Sequence, residues 1–143
     1  MRIYLDSCVI IYLVEGRQPF ERRVAARLAQ LRIGTTPLVL TSRLSRLECR
    51  TRPLREGNTA LLADYETFFA PADLRLIEIS AAVVERATDL RARYGFKTPD
   101  ALHLATAIEE RADLFLTGDG ALARCAEIQV EVLVPDDKDS TDA

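Results

Sequence analysis

Short apolar runs alternate along this chain with longer segments in which apolar residues recur every three or four positions. The runs predict five strands, at residues 2–5, 38–41, 74–79, 114–117 and 130–134. The longer segments predict helices at residues 7–14, 19–31, 42–50, 58–69, 80–94 and 98–111, and a short one at 119–125. In the segment 19–31, for example, Phe20, Val24, Leu28 and Leu31 form one apolar stripe opposite a face of arginines.

The residues at the segment ends predict where the helices begin and stop. Ser7, Ser42 and Ser80 each stand at the start of a predicted helix, where a serine hydroxyl is a favourable N-cap. Pro53 is predicted to end the third helix, because its ring disfavours a helical conformation at Arg52.

The regular alternation of strands and helices predicts an α/β fold. Crossover connections imply a three-layer α/β/α sandwich around a central, mainly parallel, five-stranded sheet. The 143 residues suit one domain, which we expect to span residues 1–134, followed by a flexible acidic tail at 135–143.

Composition limits the class of protein. With 48% apolar and 29% charged residues the chain is an ordinary globular one. The longest apolar run covers residues 8–14, too short to cross a membrane, and Asp6 lies where a secretory signal would be apolar, so we expect a cytoplasmic protein. The three widely spaced cysteines predict reduced, buried thiols rather than a disulfide framework.

Charge is distributed unevenly between the two parts of the chain. The net charge is -3, yet residues 1–55 hold eleven Arg against four acids, and residues 56–143 hold eight basic against eighteen acidic residues. A charged partner for the N-terminal part is one interpretation, since the planar guanidinium suits phosphate. A solvated basic face is the other.

Four acids are predicted to lie near the carboxyl edge of the sheet, where α/β proteins bind ligands. Asp6 follows the first strand directly, Asp119 follows the fourth after one glycine, Asp100 begins a helix, and Glu48 lies in the helix after the second strand. Singly, each has a structural explanation as a cap, a turn or a solvated residue. Together, close carboxylates repel and favour binding of hard cations such as Mg²⁺ or Mn²⁺, and metal-assisted phosphodiester hydrolysis is the matching chemistry.

Other polar residues near these acids are predicted to support them. Ser7 and Thr117 are expected to orient a carboxylate or a water molecule rather than to attack, because no Ser-His-Asp arrangement is evident. His103 lies three residues after Asp100 on the same helix surface, where a packing or hydrogen-bonding role is favoured over that of a general base.

Four blocks in order carry a resemblance to a known family: LDSCVIIYL at 5–13, SRLE at 45–48, TPDALHLATA at 98–107 and LTGDGAL at 116–122. The chain resembles the PIN-domain ribonucleases, and among them the VapC-like toxins of type II toxin–antitoxin systems. The resemblance extends from residue 3 to about residue 134.

The resemblance implies an Mg²⁺- or Mn²⁺-dependent endoribonuclease whose catalytic and metal-binding residues are Asp6, Glu48, Asp100 and Asp119. It implies three partners: an RNA substrate, a cognate antitoxin and a second copy of the chain in a homodimer. The side chains predicted to contact RNA or the antitoxin share one helix face, and they are Arg43, Arg46 and Arg50.

Two positions depart from the family pattern. Ser7 replaces a frequent Thr and keeps the hydroxyl, whereas Gly118 replaces a frequent Asn and is expected to loosen the loop before Asp119. The alternative function is a non-catalytic module of the same fold that binds RNA or protein. The four acids argue against it.

Overall fold

Strands and helices alternate through residues 1–133, the part of the chain that the computed structural model describes. The strands are β1 (Arg2–Leu5), β2 (Leu38–Ser42), β3 (Leu74–Ile77), β4 (Leu114–Thr117) and β5 (Val130–Val132). The α-helices are α1 (Ser7–Glu15), α2 (Phe20–Leu31), α3 (Leu44–Arg55), α4 (Thr59–Phe69), α5 (Ala81–Tyr94) and α6 (Thr98–Glu109). A 3₁₀-helix, Gly120–Arg124, follows β4. The predicted acidic tail and the last residue of the predicted fifth strand lie outside the described residues.

The five strands form one sheet in the order β3-β2-β1-β4-β5, and all four pairings are parallel. Tyr4 of the central strand β1 lies between Leu40 of β2 and Phe115 of β4. The predicted three-layer α/β/α fold is therefore confirmed. Because the strands are parallel, all their carboxyl ends meet at one edge of the sheet, and this edge holds the candidate site.

Alternate residues of the strands face opposite layers. Tyr4, Leu40 and Phe115 pack on one side with residues of α5 and α6, including Leu90 and Leu104. On the other side Ile3, Leu5, Leu114 and Leu116 pack with residues of α1, α2 and α4, including Ile10, Val24, Leu28 and Tyr65. Both layers exclude water from the central strands, so the polar groups at the strand ends lie at the border of a dry core.

Several predicted helix ends are confirmed. Ser80 Oγ accepts a hydrogen bond from the Val83 amide at the start of α5, and Gly95 ends that helix in the left-handed region at φ 75°. Asn58 caps α4 in the same manner through the amide of Leu61. No helix in residues 1–133 has the length and apolar character needed to span a membrane.

Two predictions about helix ends are wrong. Ser7 does not cap α1: the cap is Asp6, whose extended backbone lets its carboxylate accept the amide of Ser7. Pro53 does not end α3, which continues to Arg55 with Arg43 as its N-cap. Pro53 lies buried in the last turn, where the missing amide removes one hydrogen bond while the proline ring packs inside the protein.

The third strand is shorter than predicted and stops at Ile77 instead of residue 79. This edge strand pairs only with β2, and Ile77 lies opposite Ser42, the last residue of β2. Without a partner strand beyond that point, the apolar Ile79 cannot extend the ladder. The predicted short helix after Asp119 is present as the 3₁₀-helix.

Candidate active site

Asp6 lies at the end of the central strand and is held by both of its carboxylate oxygens. Oδ1 accepts the Ser7 amide at 2.9 Å, and Oδ2 accepts the Thr117 hydroxyl at 2.7 Å. Thr117 ends the neighbouring strand β4, so the parallel pairing of β1 with β4 brings these residues together. The side chain of Asp6 is 8% exposed, and its position is therefore set by the core.

Asp119 lies two residues after Thr117 and is exposed at the same edge of the sheet. Its amide donates to Thr117 Oγ1 at 3.1 Å, and its Oδ1 caps the 3₁₀-helix by accepting the amide of Ala121 at 2.9 Å. Between them, Gly118 packs against Tyr12: a Cβ at this position would lie 2.5 Å from the Tyr12 hydroxyl. A larger residue at this position would therefore have to displace the end of the Tyr12 side chain.

Glu48 enters the site from α3 and meets α1 and α6. The carboxylate Oε1 accepts the Ser7 hydroxyl at 2.8 Å and lies 2.6 Å from His103 Nε2. Burial raises the pKa of Glu48, but the hydrogen bond and charge interaction with His103 and the hydrogen bond from Ser7 outweigh burial, and the pKa is lowered. Glu48 is therefore a carboxylate near neutral pH.

Asp100 lies half-buried in the first turn of α6 and makes no side-chain hydrogen bond or ion pair within residues 1–133. Burial raises its pKa, and the negative charges of Asp6, Asp119 and Glu48 raise it further. The structure thus brings the charges of the other three predicted acids within electrostatic reach of Asp100.

No Arg or Lys in residues 1–133 forms an ion pair with any of the four acids. The basic side chain beside them is His103, whose Nε2 lies 2.6 Å from Glu48 Oε1 and 3.8 Å from Asp6 Oδ1. Nor do three or more His, Cys, Asp or Glu side chains in this part of the chain form a ready-made cluster able to hold a metal ion. The acids gather as a region of uncompensated charge, with Asp6 and Glu48 directed towards their hydrogen-bond donors.

Cys8 also borders Asp6, with its Sγ 3.5 Å from Oδ2. Burial, and then the charge of Asp6, raises the pKa of this thiol to about 12. Cys8 is therefore protonated near neutral pH, which disfavours a thiolate nucleophile at this site.

Sequence reasoning did not anticipate the buried polar network beneath the acids. His103 is 1% exposed and contacts Tyr4, Ser7 and Glu48, while the Oγ atoms of Ser7 and Ser45 lie within hydrogen-bond distance of each other, at 3.0 Å. The prediction of a hydrogen-bonding His103 is consistent with this arrangement. In the sequence, the only sign that Tyr4 could join this network is its position two residues before Asp6. An ordinary core residue of the strand would have the same spacing.

The three predicted contact arginines have different ion-pair partners in the structure. Arg46 and Arg50 of α3 both pair with Glu66 of α4, at 2.8 and 3.4 Å, whereas Arg43 precedes the helix and pairs with Glu78 at 2.8 Å. Their roles in binding RNA or an antitoxin stay predictions.

The sequence also matches a family model. The model of the PIN domain matches residues 3–128, and the chain therefore belongs to the PIN-domain family. No curated protein matches the chain significantly over its sequence.

Solved structures show the same fold at low sequence identity. VapBC2 from Rickettsia felis, bound to a DNA fragment from its promoter, has a chain of 17% identity and a TM-score of 0.77, with 94% of this chain and 100% of that chain covered. A toxin–antitoxin complex from Klebsiella pneumoniae has 24% identity and a TM-score of 0.67, covering 94% and 99%. VapC20 from Mycobacterium tuberculosis, a toxin that cleaves the sarcin–ricin loop, has 18% identity and a TM-score of 0.67, covering 89% and 98%.

Proposed function

We propose that this protein is a metal-dependent endoribonuclease that acts as the toxin of a toxin–antitoxin pair. The observation that carries the proposal is the group of strand-end acids that have no Arg or Lys partner among the described residues. Asp6, Asp100 and Asp119 share one edge of the sheet, and their mutual repulsion contributes to the raised pKa of Asp100. Membership of the PIN-domain family, whose nucleases generally use divalent metal ions, supports the same conclusion.

The donor chemistry fits a hard divalent cation. All four acids offer carboxylate oxygens, which Mg²⁺ and Mn²⁺ prefer, and Asp100 has both oxygens free of hydrogen bonds to the described residues. Asp6 and Asp100 would hold the principal ion, with contributions from Glu48 and Asp119. Such an ion lowers the pKa of an attacking water molecule and stabilises the charge on the leaving oxygen.

The residues around the acids have positioning roles in this proposal. Thr117 and the amide of Ser7 orient Asp6 through separate oxygens, so that its carboxylate plane is fixed relative to the strand end. The Ser7 hydroxyl also orients Glu48. Pre-positioned groups of this kind spare the reaction part of the entropic cost of alignment.

The proposed partners follow from the comparisons and from charge. The structural neighbours include toxin–antitoxin complexes, and we propose that an antitoxin protein binds this chain and that the chain forms a homodimer. Arg43, Arg46 and Arg50 are proposed to contact RNA phosphates or the antitoxin. RNA contact would require these side chains to exchange their present glutamate partners for phosphate.

The test is cleavage of a mixed RNA pool by the purified protein in the presence of Mg²⁺ or Mn²⁺. Parallel reactions contain a chelator, the variant Asp6→Asn, or the matched control Asp64→Asn, which changes an exposed aspartate on α4. Asp6→Asn keeps the shape of the side chain but removes a negative charge. We expect a loss of at least about 100-fold in cleavage rate, since a metal ion contributes several kcal/mol to this chemistry.

The control reactions separate the candidate functions. Cleavage that is lost with chelator and with Asp6→Asn, but kept in Asp64→Asn, supports the nuclease. Cleavage unaffected by Asp6→Asn contradicts the assigned site. RNA binding without cleavage under any metal, in a preparation that mass analysis shows to be free of a bound partner, supports the non-catalytic alternative.

A further inference from the structure

A groove lies between helix α2 and the edge strand β5, and none of the four acids lines it. Its volume is about 930 Å³, a size typical of ligand sites. One wall is the polar face of α2, where the lining residues recur every three or four positions from Pro19 to Gln30, over about 17 Å. The other wall is the end of β5, from Glu131 to Leu133.

The groove is basic. Among the described residues, the charged side chains that line it are three arginines, Arg22, Arg23 and Arg27, and one acid, Glu131. Arg27 bonds both carboxylate oxygens of Glu131, at 2.6 and 2.9 Å, so this acid is already compensated within the lining. The lining therefore carries more positive than negative charge, and a polyanion complements it.

The strand wall of the groove leads to the acidic edge of the sheet. Leu133, which follows β5, donates its amide to the carbonyl of Thr117 at 2.6 Å. The hydroxyl of the same Thr117 is the donor to Asp6 Oδ2. One end of the groove therefore lies a single residue away from the candidate active site.

The helix wall leads to the same place. Phe20, at the start of α2, stacks on Tyr12 with the ring centroids 4.5 Å apart. Tyr12 in turn packs against Gly118, the residue before Asp119. Both walls thus end beside the acids, and a strand lying in the groove would be continuous with the site.

RNA is the polyanion that this placement favours. The four acids repel a phosphate backbone and the chain has a net charge of -3, so binding needs positive charge next to the site. The planar fork of arginine matches phosphate oxygens. Arg46 and Arg50 of α3 are paired with Glu66, whereas Arg22 is exposed and forms no ion pair with a described residue.

We propose that the groove between α2 and β5 binds the backbone of the RNA beside the cleaved bond, with Arg22 and Arg23 contacting its phosphates. This inference rests on the proposed function, because it gives the same nuclease a surface that holds its substrate. Phosphate contacts carry no sequence information, so these arginines contribute affinity and register rather than the choice of sequence. The competing occupant is an acidic protein segment.

The first test measures RNA binding in the presence of a chelator, which keeps the RNA intact. The probe is a fluorescently labelled single-stranded RNA of mixed sequence, whose anisotropy gives the Kd at a series of salt concentrations. Each phosphate contact on a single strand contributes about 0.7 to the slope of log affinity against log salt. The slope is expected to become shallower by about 0.7 in Arg22→Gln and by about 1.4 in Arg22→Gln/Arg23→Gln.

Two further variants serve as controls. Arg75→Gln changes an exposed arginine of β3, at the opposite edge of the sheet from β5, and is expected to keep the wild-type affinity and slope. Arg22→Lys keeps the charge in the groove and is expected to keep most of the slope, because the release of counterions depends on charge. Circular dichroism checks that each variant is folded.

Three outcomes of this test overturn the proposal. The first is a wild-type affinity and slope in Arg22→Gln/Arg23→Gln, or an equal loss in Arg75→Gln. The second is the absence of RNA binding by the wild type at low salt. The third is displacement of the RNA by polyglutamate as effectively as by unlabelled RNA of the same number of charges, which points to an acidic protein segment.

Cleavage kinetics with Mg²⁺ or Mn²⁺ supply a second readout. Contacts made away from the reacting bond are equally present before and in the transition state, so the double variant is expected to raise KM and keep kcat. At a tenfold lower salt concentration, one phosphate contact corresponds to about a fivefold change in affinity, and the rise in KM is expected to be of that order for each arginine. A fall in kcat at unchanged KM contradicts the assigned role.

The outcomes distinguish this inference from the proposed function. If Asp6→Asn abolishes cleavage while the double variant binds RNA like the wild type, the groove is wrongly assigned and the nuclease stands. If the arginine variants change the salt slope as expected but no metal supports cleavage, the groove stands as an RNA-binding surface and the catalytic function fails.

Discussion

The acids at the strand ends differ from the acids elsewhere on the surface in whether an arginine side chain lies beside them. Glu127 accepts from Arg93 at 2.8 Å, Glu66 from Arg46 at 2.8 Å, and Glu131 from Arg27 at 2.6 Å. Arginine is abundant in this chain, and many surface carboxylates have an arginine partner. Among the described residues, none of the acids at the strand ends has an arginine partner.

The pKa directions record the same difference. Hydrogen bonds from Arg93, Cys125 and Tyr94 outweigh burial and lower the pKa of Glu127 to about 2, and Arg46 lowers the pKa of Glu66. Burial and the charges of Asp6 and Asp119 raise that of Asp100. Surface acids thus stabilise the fold as charges, whereas the fold leaves the charge of Asp100 uncompensated, and a cation is its natural complement.

The largest expected effect is that of Asp100→Asn. Cleavage is expected to fall at least about 100-fold, because a proposed metal ligand is lost. The metal-free protein is expected to become more stable, since removing the charge relieves its burial and repulsion. The favourable interaction of Asp100 with the start of α6 opposes this gain, but the raised pKa shows that it does not dominate.

Thermal unfolding with chelator present measures the second half of this prediction. After allowing for solvent screening, a rise of roughly 1–4 °C in the unfolding midpoint is expected. A less stable Asp100→Asn protein would show that the site acids do not repel as the comparison states.

A smaller effect is expected for Asp119→Asn. The residue is exposed and already caps the 3₁₀-helix, a task that asparagine performs equally well, so stability is expected to be unchanged. Cleavage is expected to fall about 10-fold, in line with the loss of one contributing oxygen charge. The same RNA assay measures this, and a loss as large as that of Asp6→Asn would place Asp119 among the principal ligands.

Glu127→Gln tests the paired acids through pH. Because the pKa of Glu127 in the folded protein is about 2, below its usual 4.5, its charge stabilises the fold above pH 4.5 and this contribution is lost as the pH falls towards 2. Because the interactions of Glu127 are partly exposed to solvent, the unfolding midpoint of the variant is expected to be only roughly 1–3 °C lower at pH 7. Thermal unfolding of both proteins from pH 7 to pH 2 should show the two midpoints converging; a constant gap would contradict the pKa assignment.

The smallest effect is expected for Glu66→Gln. The pairs of Glu66 with Arg46 and Arg50 lie on the surface, where screening leaves ion pairs little net effect. The unfolding midpoint is expected to shift by less than about 1 °C, and cleavage to stay at the wild-type rate. A large loss of activity here would show that the acids of the two groups are not functionally distinct.

The local sequence pattern was sufficient to predict most of the secondary structure and to single out the four acids. The predicted strands at 2–5 and 114–117 agree with β1 and β4 to the residue, and Asp6 stands at the predicted strand end. Such features depend on neighbours in the chain, namely alternating burial and the turn chemistry at the ends. Helix α3 shows the limit of prediction from local pattern. It continues past Pro53, because packing of the proline ring outweighs the local preference against a helix there.

The sequence by itself therefore determined the order of strands and helices, the parallel sheet and the four acids at its carboxyl edge. Only the tertiary structure decided how these acids are held: Tyr4 meets His103 across 99 residues of chain, and Ser7 meets Glu48 across 41. It also decided that arginines reach the surface acids and not the site. Hydrogen bonds and ion pairs act over a few ångströms in space, and the distance between two side chains far apart in sequence is set by how the layers pack.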